Sequence, residues 1–260
     1  MNTLKKILCL ALVIVMLTAC MTSCGKKGKT LEEVLEAGEL VVATSPDFEP
    51  FEYIVNGEVV GIEVEIMNII CEELGVKLVL KQMNFDSVIP GIISCKFDCG
   101  MSGISVTPER AKNVLFTDAY CLAAQCIVVR ADSTIASKSD LSDKTIAVQT
   151  GTTAEDFCNG NGYNVKSYEA NADAKTALTT SKVDAWVVDD LTAAAMCKGD
   201  ASVKILDENM TTEPYALAFA FGSEDLVARI NEILADLMES GKISEIFANY
   251  DAPYTAPTEE

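Results

Sequence analysis

The chain of 260 residues is predicted to be an α/β protein with two lobes. Short β-rich runs alternate with helical patterns, and this alternation is typical of largely parallel sheets covered by helices. The alternation occurs in two separate series, and two extended apolar segments, 126–129 and 215–221, bracket the second series. We therefore expect a first lobe at 31–127, a second lobe at 128–214, and a return to the first lobe with a C-terminal tail at 215–260.

The first series opens with a strand and a hairpin. Asn56-Gly57 is a two-residue turn signal for a β-hairpin. Farther on, apolar residues recur at helical spacing up to Gly75, which stands where a helix-ending glycine belongs. The expected elements are a strand at 39–44, a helix at 64–74, a strand at 76–80, a helix that Asp86 begins, and a strand at 97–102.

The second series supplies a complete small lobe, and a long amphipathic helix follows it. Apolar residues at helical spacing predict that last helix at 224–240, where Gly241 ends it. The expected strands of the second series are 144–149, 165–168, 185–188 and 203–206, and its expected helices are 152–158, 172–180 and 191–197.

The N-terminus has the order of residues found in export signals. Lys5 and Lys6 precede an apolar run at 7–17, and small residues follow the run. The run is too short to span a bilayer comfortably. The sequence therefore predicts a signal peptide at 1–19 and an exported protein.

A cysteine follows the apolar run directly. Leu17-Thr18-Ala19-Cys20 resembles the lipobox of bacterial lipoproteins, in which the cysteine becomes the lipidated first residue. Cys24 is a second candidate, but a leucine three residues before Cys20 fits the pattern better than the methionine before Cys24. We expect lipidation at Cys20, a flexible tether at 20–30 and an extracytoplasmic location, anchored to the cell membrane. An ordinary secretory signal is the alternative.

The composition is strongly acidic. The chain carries 39 acidic against 20 basic residues, a net charge of −19, and the predicted signal peptide removes lysines but no acid. Because binding to phosphates needs a basic face, a nucleic-acid partner is not expected. Self-repulsion of this charge suits an exported monomer.

The chain has ten cysteines, which in an exported protein suggest disulfides. Seven lie beyond Cys24, an odd number, and they fall in apolar helix and strand patterns, where cysteine behaves as a small hydrophobe. We therefore expect free buried thiols. The spacings lack paired CxxC clusters, and the chain has no histidine, so neither a metal site nor a cofactor is expected.

Several short motifs occur in an order that resembles one protein family. The longest, Gly61-Ile62-Glu63-Val64-Glu65-Ile66, continues to Leu74 and resembles the signature of the family 3 bacterial extracellular solute-binding proteins, which bind polar amino acids. The resemblance covers residues 30–250. Its other landmarks are Pro50-Phe51-Glu52, Asn84-Phe85-Asp86, Gly100 to Ser105, Thr107-Pro108-Glu109-Arg110, Gln149 to Thr153 and Asp184 to Asp189.

The resemblance implies a type II periplasmic-binding-protein fold, in which two α/β lobes are joined by two crossover strands with the ligand cleft between them. It implies that Arg110 binds the ligand's carboxylate, a role that suits a bidentate guanidinium. It also implies that Asp189 binds the α-ammonium group. The expected ligand-binding residues are Ser45, Phe48, Phe85, Ser102, Gly103, Ser105, Arg110, Gln149, Thr152, Thr153 and Asp189.

Each of these assignments has a structural alternative. Arg110 fits a solvated helix end, Asp189 fits a helix N-cap, and Thr152 with Thr153 fits a simple helix start. Phe48 and Phe85 fall where the family places rings beside the ligand's side chain, but each fits a core position equally well. Glu63 and Glu65 are expected to be structural, because acids at the start of a helix favour its dipole.

The identity of the bound amino acid is left open by the sequence. Ser45 stands where binders of cationic amino acids often carry aspartate, which argues against lysine or arginine as the ligand. Asp47 and Glu49 lie close by in sequence and keep that possibility open. Gln149 offers an amide to a polar side chain.

The function implied by the resemblance is capture of a free amino acid and its delivery to the permease subunits of an ABC importer, without catalysis. An enzyme on the same fold, such as a cyclohexadienyl dehydratase, is the alternative, because fold alone does not decide function. A receptor domain for a sensor kinase or channel is a third hypothesis. The absence of histidine, of a cofactor loop and of a nucleophile elbow favours the binding protein.

Overall fold

A computed structural model describes residues 27–257. The predicted signal peptide, the lipidated Cys20 and most of the tether at 20–30 lie outside the described residues. The helices are α1 (Leu31–Ala37), α2 (Ile62–Leu74), α3 (Val88–Ile93), α4 (Thr153–Gly160), α5 (Asn171–Thr179), α6 (Asp190–Met196), α7 (Glu224–Glu239) and α8 (Lys242–Asn249).

The strands alternate with these helices along the chain. They are β1 (Glu39–Thr44), β2 (Asp47–Phe48), β3 (Glu52–Val55), β4 (Glu58–Val60), β5 (Lys77–Gln82), β6 (Cys99–Gly100), β7 (Leu115–Phe116), β8 (Cys121–Ala123), β9 (Gln125–Arg130), β10 (Thr145–Gln149), β11 (Asn164–Tyr168), β12 (Ala185–Asp189), β13 (Val203–Ile205), β14 (Glu213–Tyr215) and β15 (Ala218–Phe219).

Two five-stranded sheets form the two lobes. The first has the order β5-β1-β6-β15-β7 and the second the order β11-β10-β12-β9-β13. In each sheet three neighbouring strands are parallel, and the remaining pairings are antiparallel. Because β15 follows the strands of the second sheet in the chain yet pairs in the first sheet, the chain returns to the first lobe. The α/β fold class with two lobes is confirmed.

A two-stranded ribbon connects the lobes. In it β8 pairs antiparallel with β14, with Cys121 opposite Tyr215 and Ala123 opposite Glu213. The segments that we expected to be the crossovers lie slightly later: β9 already belongs to the second sheet, and β15 belongs to the first. The burial along β9 explains the difference for that segment, since a short apolar run fits a sheet strand as well as a crossover. The lobe limits themselves stay a prediction.

Most predicted helices and strands are present within one to three residues of their expected ends. The Asn56-Gly57 hairpin joins β3 to β4, and Gly75 ends α2 in the left-handed conformation. Asp86 does not begin α3; it lies in a 3-10 turn, and Ser87 precedes the helix. The expected strand at 97–102 is reduced to β6.

Two helices were missed. A capping box, formed by Thr30 and Glu33, begins α1, and this T-x-x-E pattern was visible in the sequence. Gly241, which we took only as the end of α7, also precedes α8, with a φ of 78°.

Apolar faces of helices cover both sheets. In the first lobe α2 buries Ile66, Met67 and Ile70 almost completely. In the second lobe the fully buried Ile146 and Val187 lie in the sheet core. Complete burial of such a side chain stabilises the fold by about 1.5–3 kcal/mol, so these contacts make each lobe rigid.

The seven cysteines between residues 27 and 257 are free, and five of them are buried. Burial raises the pKa of the Cys71 thiol to about 11 and that of Cys158 to about 12. Thiols with such pKa values are poor nucleophiles at neutral pH. In the same stretch of chain, no helix has the length and apolar character needed to cross a bilayer.

The C-terminal segment, residues 250–257, runs from α8 to the connecting ribbon. The Leu122 backbone N–H donates to the Thr255 carbonyl at 2.9 Å, and the Tyr254 hydroxyl donates to the Tyr120 carbonyl at 3.1 Å. The Tyr254 ring lies 5.1 Å from that of Phe247. The segment thus lies along β8, on the strand that joins the lobes.

Candidate functional site

A narrow cavity of about 10 Å³ lies between the two lobes. Ten of the eleven predicted ligand-binding residues line it, and Ser45 lies buried behind its wall. The structure therefore brings the predicted residues together from six separate parts of the chain. The lining residues are Phe48, Phe85, Ser102, Gly103, Ser105, Arg110, Gln149, Thr152, Thr153 and Asp189.

Arg110 points into this cavity from the first lobe. It begins a 3-10 turn, and its backbone N–H donates to the Thr107 hydroxyl at 3.1 Å. One guanidinium nitrogen donates to the Ser105 carbonyl at 2.9 Å, and the other donates to the Gly151 carbonyl at 3.1 Å. The guanidinium also lies 5.6 Å from the centre of the Phe85 ring. The side chain is therefore not the solvated helix end that was the alternative.

Burial affects the charge of Arg110 only slightly. It lowers the pKa of the guanidinium, and the carboxylates of Asp156, Glu213 and Asp189 act in the opposite direction. Because the ordinary pKa of arginine is above 12, the group remains a cation at every physiological pH. The cavity therefore presents a fixed positive charge with planar donors, which suits a carboxylate.

Asp189 faces the same cavity from the end of β12. It is only 7% exposed, and the Gln125 side-chain amide donates to its carboxylate at 3.0 Å. Burial raises the pKa of Asp189 to about 7, and the nearby charge of Glu213 adds to the shift. Asp189 occupies the N-cap position of α6 without making a capping hydrogen bond. A buried carboxyl group of this kind favours a cationic partner such as an ammonium group.

Asp190 makes the local hydrogen bonds that Asp189 does not. Its carboxylate accepts from the backbone N–H of Leu191 at 2.8 Å and from that of Ala124 at 3.3 Å. Asp190 therefore ties the start of α6 to the strand region near β9. The carboxylate of Asp189 is left directed to the cavity.

Two residues at the cavity were missed in the sequence. Gln125 is fully buried at the start of β9, and its amide bridges the Asp189 carboxylate and the Thr153 hydroxyl, at 3.0 and 3.2 Å. Tyr215 is buried close to Asp189, and burial together with the charge of that carboxylate raises the pKa of the Tyr215 hydroxyl. The signal for Gln125 was available, since it is a polar residue within an apolar strand pattern.

The start of α4 supplies the other side of the cavity. Thr152 is its N-cap, where its hydroxyl accepts from the Glu155 backbone N–H at 3.2 Å and donates to the Gln149 carbonyl at 2.7 Å. That hydroxyl is therefore engaged in local structure. Thr153 follows in the first turn, where backbone N–H groups lack intrahelical partners and favour an anion.

Gly151 allows the lobes to approach each other closely at this point. Its φ is 80°, and a Cβ atom there would lie 3.0 Å from the Cβ atom of Asp86 in the first lobe. A side chain at position 151 would be strained by its backbone conformation and would also press the lobes apart.

Asp47 joins the lobes at the edge of the site. Its carboxylate accepts from the Gln149 side-chain amide at 3.0 Å, from the Asn171 backbone N–H at 2.9 Å and from the Ser45 hydroxyl at 2.9 Å. All three donors are neutral. The acidic group at this edge is therefore Asp47, and Ser45, in which we expected the ligand contact, supports it.

The two predicted phenylalanines take different places. Phe48 is almost fully buried and lies 5.5 Å from the ring of Phe51, so it belongs to the core and to the cavity wall at once. Phe85 is more exposed and packs on the Arg110 guanidinium. Both alternatives considered for Phe48 thus apply.

The family model for bacterial extracellular solute-binding proteins, family 3, matches residues 40–252. The chain belongs to this family. Among curated relatives, this solute-binding protein is 30% identical over 244 residues to the arginine-binding extracellular protein ArtP of Bacillus subtilis, covering 91% of this chain and 94% of that protein. It is 26% identical to the L-cystine-binding protein TcyJ of Escherichia coli, covering 83% and 84%.

Solved structures show the same fold as this solute-binding protein. A variant of the arginine-binding protein ArgBP from T. maritima has 36% sequence identity and a TM-score of 0.82, covering 85% of this chain and 98% of the other. An ancestral amino-acid-binding protein described as a precursor of cyclohexadienyl dehydratase has 33% identity and a TM-score of 0.80, covering 85% and 99%. The predicted family and fold are confirmed.

Proposed function

We propose that this protein captures a free amino acid between its lobes and delivers it to the permease subunits of an ABC importer. The observation that carries the proposal is that Arg110 and Asp189, opposite in charge, face one cavity from different lobes. An amino acid has a carboxylate and an ammonium group on the same carbon. A site with one fixed cation and one buried carboxyl group therefore complements it.

Each charged end of the ligand is proposed to be held from both lobes. In the proposed complex Arg110 and the first turn of α4, at Thr153, hold the ligand's carboxylate. Asp189, the Gly103 carbonyl and the Ser105 hydroxyl hold its ammonium group. Arg110 donates to the carbonyls of Ser105 and Gly151. The ligand's carboxylate would replace these neutral acceptors with a charged one, which makes the hydrogen bonds of the guanidinium stronger.

The side-chain end of the ligand is proposed to be cationic, with L-arginine as the first candidate. The carboxylate of Asp47 contacts only neutral donors, and within the described residues no lysine or arginine pairs with its charge. ArtP and ArgBP are named as arginine-binding proteins, while TcyJ is named as binding L-cystine. The alternative ligand is therefore L-cystine.

The experiment is calorimetry of the protein with each common amino acid and L-cystine. L-Arginine should bind at a single site. At a hundredfold excess over Kd it should raise the free energy of unfolding by about 2.7 kcal/mol, and the melting temperature should rise accordingly. Binding of L-cystine but not of L-arginine would change the proposed ligand and leave the proposed transport function unchanged. Binding of no amino acid would contradict the proposed function.

The enzyme alternative also has a specific observation in its favour. A carboxyl group with a pKa of about 7, as Asp189 has, can act as a general acid. We propose that Asp189 serves binding instead, because its place opposite Arg110 matches the second charge of an amino acid. Release of product from prephenate or arogenate by the purified protein would contradict this.

We also propose that the protein is a monomer held at the outer side of the cell membrane by a lipid on Cys20. The support is the order of basic, apolar and small residues before Cys20. A lipid anchor would keep the protein within reach of a permease in the same membrane. Partition of the protein with membranes, and its release when Cys20 is replaced, tests the anchor.

A further inference from the structure

Two acidic side chains lie buried behind the cavity, where they contact a loop of the site. Glu52 is at the start of β3 and Glu63 is in the first turn of α2; they are 0% and 1% exposed. We expected Glu63 to serve only the dipole of its helix. Its carboxylate instead accepts from the backbone N–H of Gly103 at 2.9 Å, 40 residues farther along the chain.

The two carboxyl groups bind two adjacent residues of this loop, Ser102 and Gly103. Glu52 accepts from the Ser102 hydroxyl at 2.7 Å, and the same hydroxyl accepts from the Ser45 backbone N–H at 3.1 Å. Glu63 accepts from Gly103 and also from the Tyr120 hydroxyl. Every side chain in this network is at most 4% exposed.

The loop needs outside support because of its own geometry. Gly103 has a φ of 52°, and a Cβ atom there would lie 2.4 Å from the Phe48 ring. Because Gly103 has no side chain, only contacts to its backbone can hold it in place. The hydrogen bond from its N–H to Glu63 fixes the peptide group between Ser102 and Gly103, which directly precedes the Gly103 carbonyl.

The pair is costly to bury. Burial and the charge of Glu63 raise the pKa of Glu52 well above its ordinary value. In the described chain, no lysine or arginine forms an ion pair with either group. Buried carboxyl groups without a cation destabilise a fold. Their presence behind the cavity therefore indicates a benefit other than stability.

We infer that Glu52 and Glu63 are positioning residues, which hold Ser102 and Gly103 so that the Gly103 carbonyl is ready to receive the ligand's α-ammonium group. Neither acid touches the cavity itself. The inference rests on the proposed function, because that function identifies the group that the Gly103 carbonyl would bind as the ligand's α-ammonium group. The hold on the loop is independent of the ligand.

The first test compares two probes. L-Arginine carries the α-ammonium group, and 5-guanidinopentanoate is the same molecule without it. Glu52→Ala should weaken binding of L-arginine about tenfold, the effect of one buried hydrogen bond, and should weaken 5-guanidinopentanoate much less. Glu52→Gln should weaken L-arginine binding much less than Glu52→Ala does, because the amide oxygen of glutamine can accept from the Ser102 hydroxyl. Equal losses for both probes would overturn the inference.

A matched control separates positioning from general stability. Leu234 is fully buried in α7 of the same lobe. Leu234→Ala should lower the melting temperature but leave the ratio of the two affinities as in the parent. A change in that ratio as large as for Glu52→Ala would mean that lost stability alone explains the effect, and the inference would fail.

The second test needs no ligand. Amide hydrogen exchange at Gly103, followed by NMR in the ligand-free protein, should be faster in Glu63→Ala than in the parent and in Leu234→Ala. If L-arginine does not bind the parent but Gly103 exchanges faster in Glu63→Ala, the hold on the loop is supported and the proposed ligand is contradicted. If Gly103 exchange is unchanged, the positioning role is overturned, whether or not L-arginine binds.

Discussion

Arg110 in the first lobe donates a hydrogen bond of 3.1 Å to the carbonyl of Gly151 in the second lobe. This contact spans the cleft at the place where a ligand carboxylate is proposed to bind. A guanidinium cation with planar donors therefore stands at the point where the proposed carboxylate would lie.

Replacing Arg110 by alanine should weaken binding of L-arginine by about 2–5 kcal/mol, because a charge-assisted contact to a desolvated carboxylate is lost. This corresponds to roughly thirtyfold or more in Kd. Calorimetry with L-argininamide checks the cause: the amide should bind the parent weakly, but Arg110→Ala should make its binding little worse. Lys112→Ala is the control, because Lys112 is exposed and pairs with Glu109. Simple additivity of the two carboxylate changes would contradict the role of Arg110.

Binding should depend on pH through Asp189. Burial raises the pKa of Asp189 to about 7. A bound ammonium group lowers that pKa, so below pH 7 binding must release a proton, and Kd should rise by up to about tenfold per pH unit. Calorimetry at pH 5.5, 7 and 8.5 in buffers of different ionisation enthalpy measures the proton release. Asp189→Asn should bind weakly and lose the dependence; proton uptake on binding would contradict the assignment.

Asp47 should select for a cationic side chain. Asp47→Asn can still accept from Gln149 and Asn171 but has lost its charge, so L-arginine should lose about 1.5–3 kcal/mol of binding. Binding of a neutral probe, L-glutamine, should change much less. Glu49→Gln removes the same charge two residues away and serves as the control. Equal losses for both probes would show that Asp47 supports closure without setting specificity.

The C-terminal segment should stabilise the ribbon between the lobes. Tyr254→Ala removes a half-buried ring and a hydrogen bond to the Tyr120 carbonyl, and should lower the free energy of unfolding by about 1–3 kcal/mol. Tyr254→Phe keeps the ring packing against Phe247 and should lose only about 0.5–1.5 kcal/mol. Urea denaturation followed by circular dichroism measures both. Parent-like stability of Tyr254→Ala would mean that the segment is only loosely attached.

Lipidation is expected at Cys20. Cys20→Ser should leave the protein without palmitate and in the medium or unprocessed, because the thiol is the acylated group. Labelling of cells with radioactive palmitate measures this, with Cys24→Ser as the control that should remain labelled. The reverse pattern would identify Cys24 as the lipidated residue.

The sequence predicted those parts of the structure that depend on local patterns of residues. Helical spacing and helix-ending glycines gave the positions of α2 and α7, and family motifs selected ten residues that now line one cavity. The residues that were missed act through distant contacts. Gln125 meets Asp189 across 64 positions, and Glu63 meets Gly103 across 40. Local pattern contains no information about such pairs, and the short hydrogen-bonded ribbon at β8 and β14 was hidden for the same reason.

The free thiols have a consequence for where this protein can be made. Each of the seven cysteines from residue 27 onward fills a place in the fold without a bonded partner. Folding of this part of the chain therefore consumes no oxidant and depends on no disulfide isomerase.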